Sequence, residues 1–489
     1  MQALKKIPFF LLLLVVFFCL HGSVENFGYL DPGEVLVVGL VIIVCVAILF
    51  LIILFFTKNY IFSALVTFFI SLWYLFFGAF HDWVRKLSFL SFLSSYAVIV
   101  PLLIILTVLW IIFLKRNKQL HPKLVLYLNS LLLLYCIYDG YLIWNKYKQS
   151  DKALPANTVA FDASKVSQKP NVYFLLFDEY AGYKSLKDSF NFANDSLYDF
   201  LQQNEFKILP THSNYDYTPF SMSSIVNMNY VDSNYDHRLL TQKDIQQRFG
   251  EIRNGRVFSI FSSMGYRLEN YSIFDIKDHP ALSGSNPLFP IHHYLLTDKI
   301  FHNRFIKDLG WWFVTGRFQI PWLKEKYLYR DDKYNKKAED MVMRSVAEKS
   351  SRPKFCYGHF FLPHGAYFRD SAGKYNSPAQ MQDLFNKPLY LSYLKYTNNV
   401  IRSLVKNIVT NDPQAIVVVM SDHGFYNYTS PGDDDPYNYD NFCFARFPGK
   451  NYLPYKESWS TVNFFRYLFN CEFGQKIPYL RDSSIYVNE

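Results

Sequence analysis

Hydrophobic residues are concentrated in the first 148 positions, where polar connections separate five apolar segments. The last four segments are each about 20 residues long, enough for a helix to cross roughly 30 Å of hydrocarbon. The first is shorter and follows Lys5 and Lys6, so it reads either as a cleaved signal peptide or as an uncleaved helix. The stretch CLHGSVE after it is a poor cleavage site, which favours the helix. We therefore predict a transmembrane domain over residues 1–148, with helices at about 7–20, 35–56, 61–80, 92–114 and 124–144.

The distribution of basic residues predicts how these helices are oriented. The connection KRNKQLHPK, residues 115–123, is the most basic of them, and the positive-inside rule places it in the cytoplasm. Glu25 and Asp31 then fall outside, while Arg85 and Lys86 do not fit this arrangement. Everything after the fifth helix is consequently expected outside the cytoplasm, on an integral, multi-pass membrane protein.

The rest of the chain alternates strand and helix patterns. Strand patterns lie at 172–177, 267–271, 355–361, 415–420 and 442–447, and helical patterns at 195–206 and 256–266. After a polar linker at 149–169, this alternation predicts an α/β domain over residues 170–489, with a mostly parallel sheet covered by helices on both faces. The aromatic-rich segment 275–345 is expected to be an insertion or a lid.

Charge and cysteine content exclude several classes of function. The formal net charge is +9, but the first 150 residues hold 11 Lys and Arg against 5 Asp and Glu, and the remainder 39 against 36. The second part therefore lacks the basic surface that binding to a phosphate backbone needs, and no nucleic-acid partner is expected. Its three cysteines, Cys356, Cys443 and Cys471, show no paired spacing, which argues against a disulfide framework or a zinc cage.

Acidic residues follow two of the predicted buried strands. Asp178 and Glu179 come directly after the first, and Asp422 and His423 follow the run that ends at Met420. The carboxyl ends of parallel strands share one edge of a sheet, so Asp178 and Asp422 are expected close together. Two carboxylates repel each other unless a cation or a proton lies between them, and with an imidazole they form a ligand set for a divalent metal. An ordinary turn after each strand is the alternative.

A threonine and two histidines are the remaining candidates. Thr218 followed by Pro219 is typical of a helix start, with Thr as N-cap and Pro as the first helical residue. Capping alone would explain the pair, but a hydroxyl beside a metal at a helix N-terminus is also a potential nucleophile for phosphoryl chemistry. His359 and His364 belong to the end of a predicted strand and the loop after it. Such histidines often form only local hydrogen bonds, although His364 is well placed to meet a substrate oxyanion.

The order of these motifs resembles that of the alkaline phosphatase and sulfatase superfamily. It is most similar to the membrane-anchored branch of lipoteichoic acid synthases and phosphoethanolamine or phosphoglycerol transferases, which have five membrane helices, a linker and an outward-facing sulfatase-like domain. PNVYFLLFDEY looks like the first metal-binding motif, TPFSMSSI like the nucleophile motif, LPHGAYF like the substrate-histidine segment and MSDHG like the Asp-His metal pair. The resemblance covers roughly residues 170–470.

The resemblance implies a role for each candidate residue. The implied ligands of one divalent metal ion (Mn, Zn or Mg) are Asp178, Thr218, Asp422 and His423, the implied catalytic residues are Thr218 as nucleophile and His364, and further possible site residues are Glu179, His359 and Ser221. Glu179 is the second choice for the first ligand because relatives differ at that position. Sulfatases carry a Cys or Ser in a C/S-x-P-x-R element, whereas no Arg follows Thr218 here, so sulfate-ester hydrolysis is disfavoured.

The implied function is transfer of a phospho-headgroup, of phosphoethanolamine or phosphoglycerol type, from a membrane phospholipid to a glycan or lipid acceptor at the cell surface. A covalent intermediate would form on Thr218. The protein would lie in the bacterial cytoplasmic (inner) membrane, with its catalytic domain in the periplasm. A periplasmic phosphodiesterase, a phosphatase or a sulfatase-like hydrolase would use the same site and is the alternative. A catalytically silent scaffold of the cell envelope is the alternative of another class.

Overall fold

The chain forms two compact units in the computed structural model. The first, the helical unit, comprises Met1–Leu154 and Asn286–Leu323, and the second, the sheet unit, comprises Pro155–Ser285 and Lys324–Glu489. The structure describes residues 7–27, 30, 32–87, 92–150, 159–231, 240, 242–282, 293–315, 320–321, 328–425, 435–455 and 458–487.

The described residues contain helices that we number α1 to α16 in chain order. They are α1 Phe10–Glu25, α2 Pro32–Thr57, α3 Tyr60–Lys86, α4 Tyr96–Arg116, α5 His121–Ser150, α6 Tyr183–Phe190, α7 Asp195–Gln203, α8 Thr218–Asn227, α9 Gln242–Arg253, α10 Arg256–Ser263, α11 His293–Thr297, α12 Phe301–Thr315, α13 Arg330–Ala347, α14 Pro378–Gln382, α15 Lys387–Asn411 and α16 Phe464–Glu472. The strands are β1 Val172–Phe177, β2 Lys207–Ile208, β3 Thr211–His212, β4 Arg267–Tyr271, β5 Lys354–Phe360, β6 Ile416–Met420, β7 Cys443–Arg446 and β8 Trp459–Ser460.

Four helices of the described chain are long and apolar enough to span a membrane. They are Pro32–Thr57, Tyr60–Lys86, Tyr96–Arg116 and the helical stretch Lys118–Lys148. These four helices overlap the segments predicted at 35–56, 61–80, 92–114 and 124–144, although the helix in the third segment begins at Tyr96. Helix α1 has 16 residues and is shorter than this length, so a fifth span stays a prediction.

Helix α1 packs inside the helical unit against α5. The side chain of Asn129 accepts a hydrogen bond from the Phe10 amide at 2.7 Å and donates one to the Ile7 carbonyl at 2.9 Å. Phe10 and Leu14 are fully buried. The contacts satisfy backbone groups at the start of α1 that have no partner within the helix.

Helices α11 and α12 belong to the helical unit although the chain reaches them from the sheet unit. Helix α3 is interrupted at Phe76, whose φ of −105° and ψ of 15° are not helical. Just beyond, the Gly78 amide donates to the Lys299 carbonyl at 2.7 Å. A Cβ on Gly78 would lie 2.8 Å from Lys299 Cα, so only glycine fits this approach.

Charged side chains hold α12 against α3 and α4 in the helical unit. Arg304 of α12 forms an ion pair with Asp82 and donates to Asp308 at 3.1 Å. Tyr96 also donates to Asp308, at 2.8 Å. Helix α12, which lies in the segment 275–345, is therefore attached to α3 and α4 by ion pairs and hydrogen bonds. Residues 283–292, 316–319 and 322–327 of this segment lie outside the described residues.

The sheet unit contains a six-stranded sheet in the order β2-β7-β6-β1-β5-β4. Strands β4, β5, β1 and β6 are parallel neighbours, while β7 pairs antiparallel with β6 and with β2. The predicted mostly parallel sheet is therefore confirmed, with an antiparallel edge. All six residues of β1 and all five of β6 are buried, as expected for central parallel strands covered on both faces.

Strand register places the ends of β1 and β6 at the same level. Leu176 pairs with Met420 and Phe177 with Phe360. Two residues beyond the first pair, Asp178 and Asp422 are consequently level at the carboxyl edge of the sheet. This edge carries the candidate site.

Candidate active site

Asp178, Asp422 and His423 form a buried cluster at the carboxyl edge of the sheet. One ligand atom from each lies within 4.8 Å of those of the other two. The Asp178 amide donates to the Phe360 carbonyl at 2.9 Å, which continues the β1–β5 ladder up to the acid. The Glu179 amide donates to Asp422 Oδ1 at 3.3 Å. The backbone after β1 therefore holds both carboxylates in place.

The ring of His423 turns its Nε2 atom toward both acids. This atom lies 3.7 Å from Asp178 Oδ1 and 3.4 Å from Asp422 Oδ2. Nδ1 is 2.7 Å from the Gly424 carbonyl, which can only accept, so Nδ1 carries the proton of that hydrogen bond. In the neutral ring Nε2 then carries the lone electron pair, which is the form in which a histidine binds a metal.

Burial and mutual charge shift the titration of all three groups. Burial opposes ionisation of Asp178, but His364, His359 and His423 outweigh it and lower the pKa of this carboxyl to about 2. Burial and the charge of Asp178 raise the pKa of Asp422. Burial lowers the pKa of His423, yet Asp422 and Asp178 outweigh it and raise this pKa to about 9. The two carboxylates therefore stabilise a positive charge that lies between them, whether it is an imidazolium or a metal ion.

Thr218 brings a hydroxyl to this cluster. Its Oγ1 donates to Asp178 Oδ1 at 3.3 Å and lies 3.1 Å from His423 Nε2. The expectation that Thr218 caps a helix is wrong by one residue, because α8 begins at Thr218 and its N-cap is Tyr217. The Thr218 hydroxyl faces the acids instead of capping its own helix.

The first amides of α8 are largely used within the helix start. Pro219 has no amide hydrogen, and the amides of Phe220 and Ser221 both donate to the Tyr217 carbonyl, at 3.1 and 3.0 Å. The dipole of α8 can therefore stabilise an anion at Thr218. Amide hydrogen bonds contribute less, because two of the first four backbone amides are already paired and a third has no hydrogen.

His364 lies in the loop after β5 and interacts electrostatically with the cluster. Its Nδ1 is 2.5 Å from the Gly365 carbonyl, so Nδ1 is the protonated nitrogen. Burial lowers the pKa of His364, but Asp178 and Glu179 outweigh it and raise this pKa. Since Nδ1 is engaged, Nε2 is the atom that can reach a ligand.

The three further candidates occupy supporting positions. His359 Nε2 lies 3.8 Å from Asp178 Oδ2, and its Nδ1 is 2.9 Å from the hydroxyl of Tyr357. Ser221 donates to the Asp422 carbonyl at 2.6 Å, so it fixes the backbone of the acid. Glu179 has a positive φ of 60° and contributes its amide to Asp422. Of the two acids after β1, Asp178 is the one in the three-residue cluster, among the described residues.

Sequence reasoning missed the residues of α13 that hold the end of β5. Asn335 accepts from the Phe361 amide at 2.8 Å and donates to the Phe361 carbonyl at 3.0 Å. Tyr334 donates to the His359 carbonyl at 2.7 Å. Only Tyr357, the hydrogen-bond partner of His359, could have been predicted from the sequence. The two residues are two positions apart on one strand, so their side chains lie on the same face. Nothing in the motif pattern points to Tyr334 or Asn335.

The residues present fit a divalent metal ion. Two buried carboxylates and one imidazole nitrogen converge, and the hydroxyl of Thr218 lies beside them. Buried like charges are costly without a cation between them, and oxygen ligands with one imidazole suit Mg, Mn or Zn. The residues expected as ligands therefore lie together, and their role as ligands stays a prediction.

Comparison with known proteins gives a family for this part of the chain. Residues 286–458 match the family model described as Sulfatase, a range that contains His364, Asp422 and His423 and lies after Asp178 and Thr218. No curated protein sequence matches the chain.

Two solved structures illustrate the structural similarity. The C-terminal periplasmic domain of EcEptC from Escherichia coli, in complex with Zn, is 11% identical with a TM-score of 0.40, over 66% of this chain and 87% of that chain. A protein of glycosaminoglycan metabolism from Bacteroides thetaiotaomicron is 15% identical with a TM-score of 0.39, over 64% and 74%. The chain is therefore similar to sulfatases over residues 286–458, about a third of its length.

Proposed function

We propose that the protein transfers a phospho-headgroup, of phosphoethanolamine or phosphoglycerol type, from a membrane phospholipid to a glycan or lipid acceptor outside the cytoplasmic membrane. The observation that carries the proposal is the position of Thr218. Its hydroxyl lies within hydrogen-bond distance of both Asp178 and His423, at the cluster that fits a metal ion. A hydroxyl activated in this way can act as a nucleophile toward a phosphodiester.

The transfer proceeds in two displacements at phosphorus. In the first, a bond forms between Thr218 Oγ1 and phosphorus while the bond from phosphorus to the diacylglycerol oxygen breaks. Thr218 releases one proton and the leaving oxygen takes one up. In the second, an acceptor hydroxyl forms the new bond to phosphorus, the bond to Thr218 breaks, the acceptor loses its proton and Thr218 regains one.

The residues around Thr218 have separate tasks in these steps. Asp178, Asp422, His423 and Thr218 would hold a divalent ion, which when bound would lower the pKa of the Thr218 hydroxyl and offset charge on the phosphoryl oxygens. His364 faces the acids with a raised pKa, so its imidazolium can stabilise a non-bridging oxygen. Ser221 keeps the Asp422 backbone fixed.

Intact-mass spectrometry tests the proposal. Purified wild type, Thr218→Ala and the matched control Thr410→Ala are exposed to bacterial phospholipid and divalent metal; Thr410 is exposed on α15. We expect a mass increase in wild type and Thr410→Ala but not in Thr218→Ala, and its size names the headgroup. An adduct that persists in Thr218→Ala would overturn the assignment of the nucleophile.

Hydrolysis is the second candidate, favoured by the match to the sulfatase family model. Water would then take the place of the acceptor hydroxyl in the second displacement. The two reactions differ in product, because hydrolysis releases a free phosphorylated headgroup and transfer does not. Accumulation of that free headgroup at the rate of diacylglycerol release would favour the hydrolase.

A further inference from the structure

Tyr390 lies where the segments that follow β1, β5 and β6 come together. It belongs to the first turn of α15, and its side chain is fully buried. The centroid of its ring is 4.1 Å from that of Phe425, in the segment after β6, and 6.1 Å from that of Tyr367, in the segment after β5. Its hydroxyl contacts the segment after β1. One side chain therefore touches all three segments that carry the candidate site.

The hydroxyl of Tyr390 bridges two backbone groups of the turn after β1. It donates to the Glu179 carbonyl at 2.8 Å and accepts from the Ala181 amide at 3.0 Å. Both of these residues are fully buried, and a buried backbone group without a partner is costly. Because a phenolic hydroxyl both donates and accepts, this one group satisfies both ends of the turn.

The turn has a backbone conformation that needs such support. Glu179 has a φ of 60°, in the left-handed region that a residue with a Cβ rarely adopts. Such a conformation persists only where the surrounding structure holds it. In this conformation the Glu179 amide donates to Asp422 Oδ1 at 3.3 Å, and Asp178 directly precedes Glu179. The turn therefore carries one carboxylate of the cluster and contacts the other.

We propose that Tyr390 is a positioning residue of the metal site. Its hydroxyl fixes the turn at Glu179 and thereby the spacing of the Asp178 and Asp422 carboxylates. The inference rests on the proposed function for the presence of the ion, and Tyr390 acts through the backbone and not as a ligand. Loss of a group that orients metal ligands typically weakens metal binding by about 10–100-fold.

Tyr390→Phe isolates the hydroxyl, because the buried ring is kept. Tyr393→Phe is the matched control. Tyr393 lies on the same helix and is equally buried, but its hydroxyl has no hydrogen-bond partner among the described residues. The full chain is purified in detergent, stripped of metal with EDTA, dialysed and titrated by calorimetry with Mn²⁺ and, in a second series, with Zn²⁺.

We expect the Kd of Tyr390→Phe to be at least about tenfold higher than that of the wild type, while Tyr393→Phe keeps the wild-type Kd. A purely structural role would not give this result, since a lower free energy of unfolding does not change the Kd of a site that stays folded. Equal Kd values in wild type and Tyr390→Phe would overturn the proposal.

Ser421 provides a second variant that tests the same turn. Its hydroxyl donates to the Tyr180 carbonyl at 2.9 Å, so it supports the turn from the end of β6. Ser421→Ala should also raise the Kd. If Tyr390→Phe does not fold, an unchanged Kd in Ser421→Ala would overturn the proposal, because the position of the turn would then not determine metal binding.

The titration separates this proposal from the proposed function. A wild type that binds neither ion would overturn the metal site on which both depend. A retained difference in Kd between the two tyrosine variants, together with no adduct on Thr218, would overturn the transfer reaction and support the role of Tyr390.

Discussion

At the scale of single residues, Asp422 shows how the site depends on a cation. Its carboxylate lies beside Asp178 with both groups buried, and burial together with the charge of Asp178 raises its pKa. The Glu179 amide donates to this carboxylate, and the His423 ring lies 3.4 Å from it. An isosteric amide would keep the size of the side chain but remove its charge, so it separates electrostatics from packing.

Asp422→Asn is expected to lose the thermal stabilisation that a divalent metal gives the wild type. A ligand at about 100 times its Kd stabilises the folded state by about 2.7 kcal/mol, and the amide removes one charged ligand. Without metal the variant should be at least as stable as the wild type, because the repulsion from Asp178 is gone. Thermal denaturation with EDTA and with added Mn²⁺ or Zn²⁺ measures both effects.

The control for this experiment is Asp340→Asn, an exposed position on α13, which should retain the full metal-induced shift. A shift of equal size in Asp422→Asn would contradict the assignment of Asp422 as a ligand.

Asn335 provides a second prediction at this scale. Its side chain makes two hydrogen bonds to the backbone of Phe361, and leaving buried partners unpaired costs about 1–3 kcal/mol. Asn335→Ala should lower the free energy of unfolding by about this amount. Urea denaturation measures the loss. A variant as stable as the wild type would show that these hydrogen bonds contribute little.

At the scale of elements, the interruption of α3 is where another part of the chain docks. Phe76 leaves the helical conformation, and two residues later the Gly78 amide donates to the Lys299 carbonyl. A backbone hydrogen bond to another segment is strong inside an apolar surrounding, because no water competes for it. The kink therefore serves as the attachment point of the segment that contains α11 and α12.

Gly78→Ala is expected to lower the stability of the helical unit by roughly 1–3 kcal/mol, since the new Cβ would lie 2.8 Å from backbone of Lys299. Gly140→Ala is the control, because a Cβ there has no heavy atom of the described residues within 4 Å. It should be neutral or slightly stabilising, as alanine is the better helix former. Thermal denaturation in detergent compares the two, and an equal change would show that the close approach at Gly78 is easily relieved.

The strands and helices also show which parts of the fold and of the site could be predicted from the sequence. The level ends of β1 and β6 were predictable, because buried parallel strands share an edge and the acids follow each strand directly. The approach of Thr218 to Asp178 was expected only from motif resemblance, since 40 residues separate the two and no periodicity links them. The partner of α12 could not be predicted at all. Its apolar residues would suit any buried surface, and only the fold shows that α3 and α4 provide it.

At the scale of the whole molecule, the two units are interleaved along the chain. Residues 286–323 belong to the helical unit, while the sequence on both sides belongs to the sheet unit. Leu296 and Ile300 are almost fully buried in the hydrophobic cluster of the helical unit. A fragment cut at the end of α5 would separate these side chains from that cluster.

We therefore expect the fragment 155–489 to aggregate without detergent, because the exposed apolar side chains of this segment become a contact surface. The same fragment with Leu296→Ser, Ile300→Asn and Phe301→Ser should stay monomeric. Size-exclusion chromatography of both fragments, with and without detergent, measures this. A monomeric unmodified fragment in buffer alone would contradict the expectation.

The interleaved chain also constrains the order of synthesis. Between the end of the first part of the helical unit and Asn286 lie residues 155–285, which a ribosome needs roughly 7 to 26 seconds to add. During that interval α3 and α4 are complete, while α12, their partner in the helical unit, has not been made. The faces of α3 and α4 that α12 later covers are therefore exposed for several seconds, and α12 has to displace whatever occupies them when it docks.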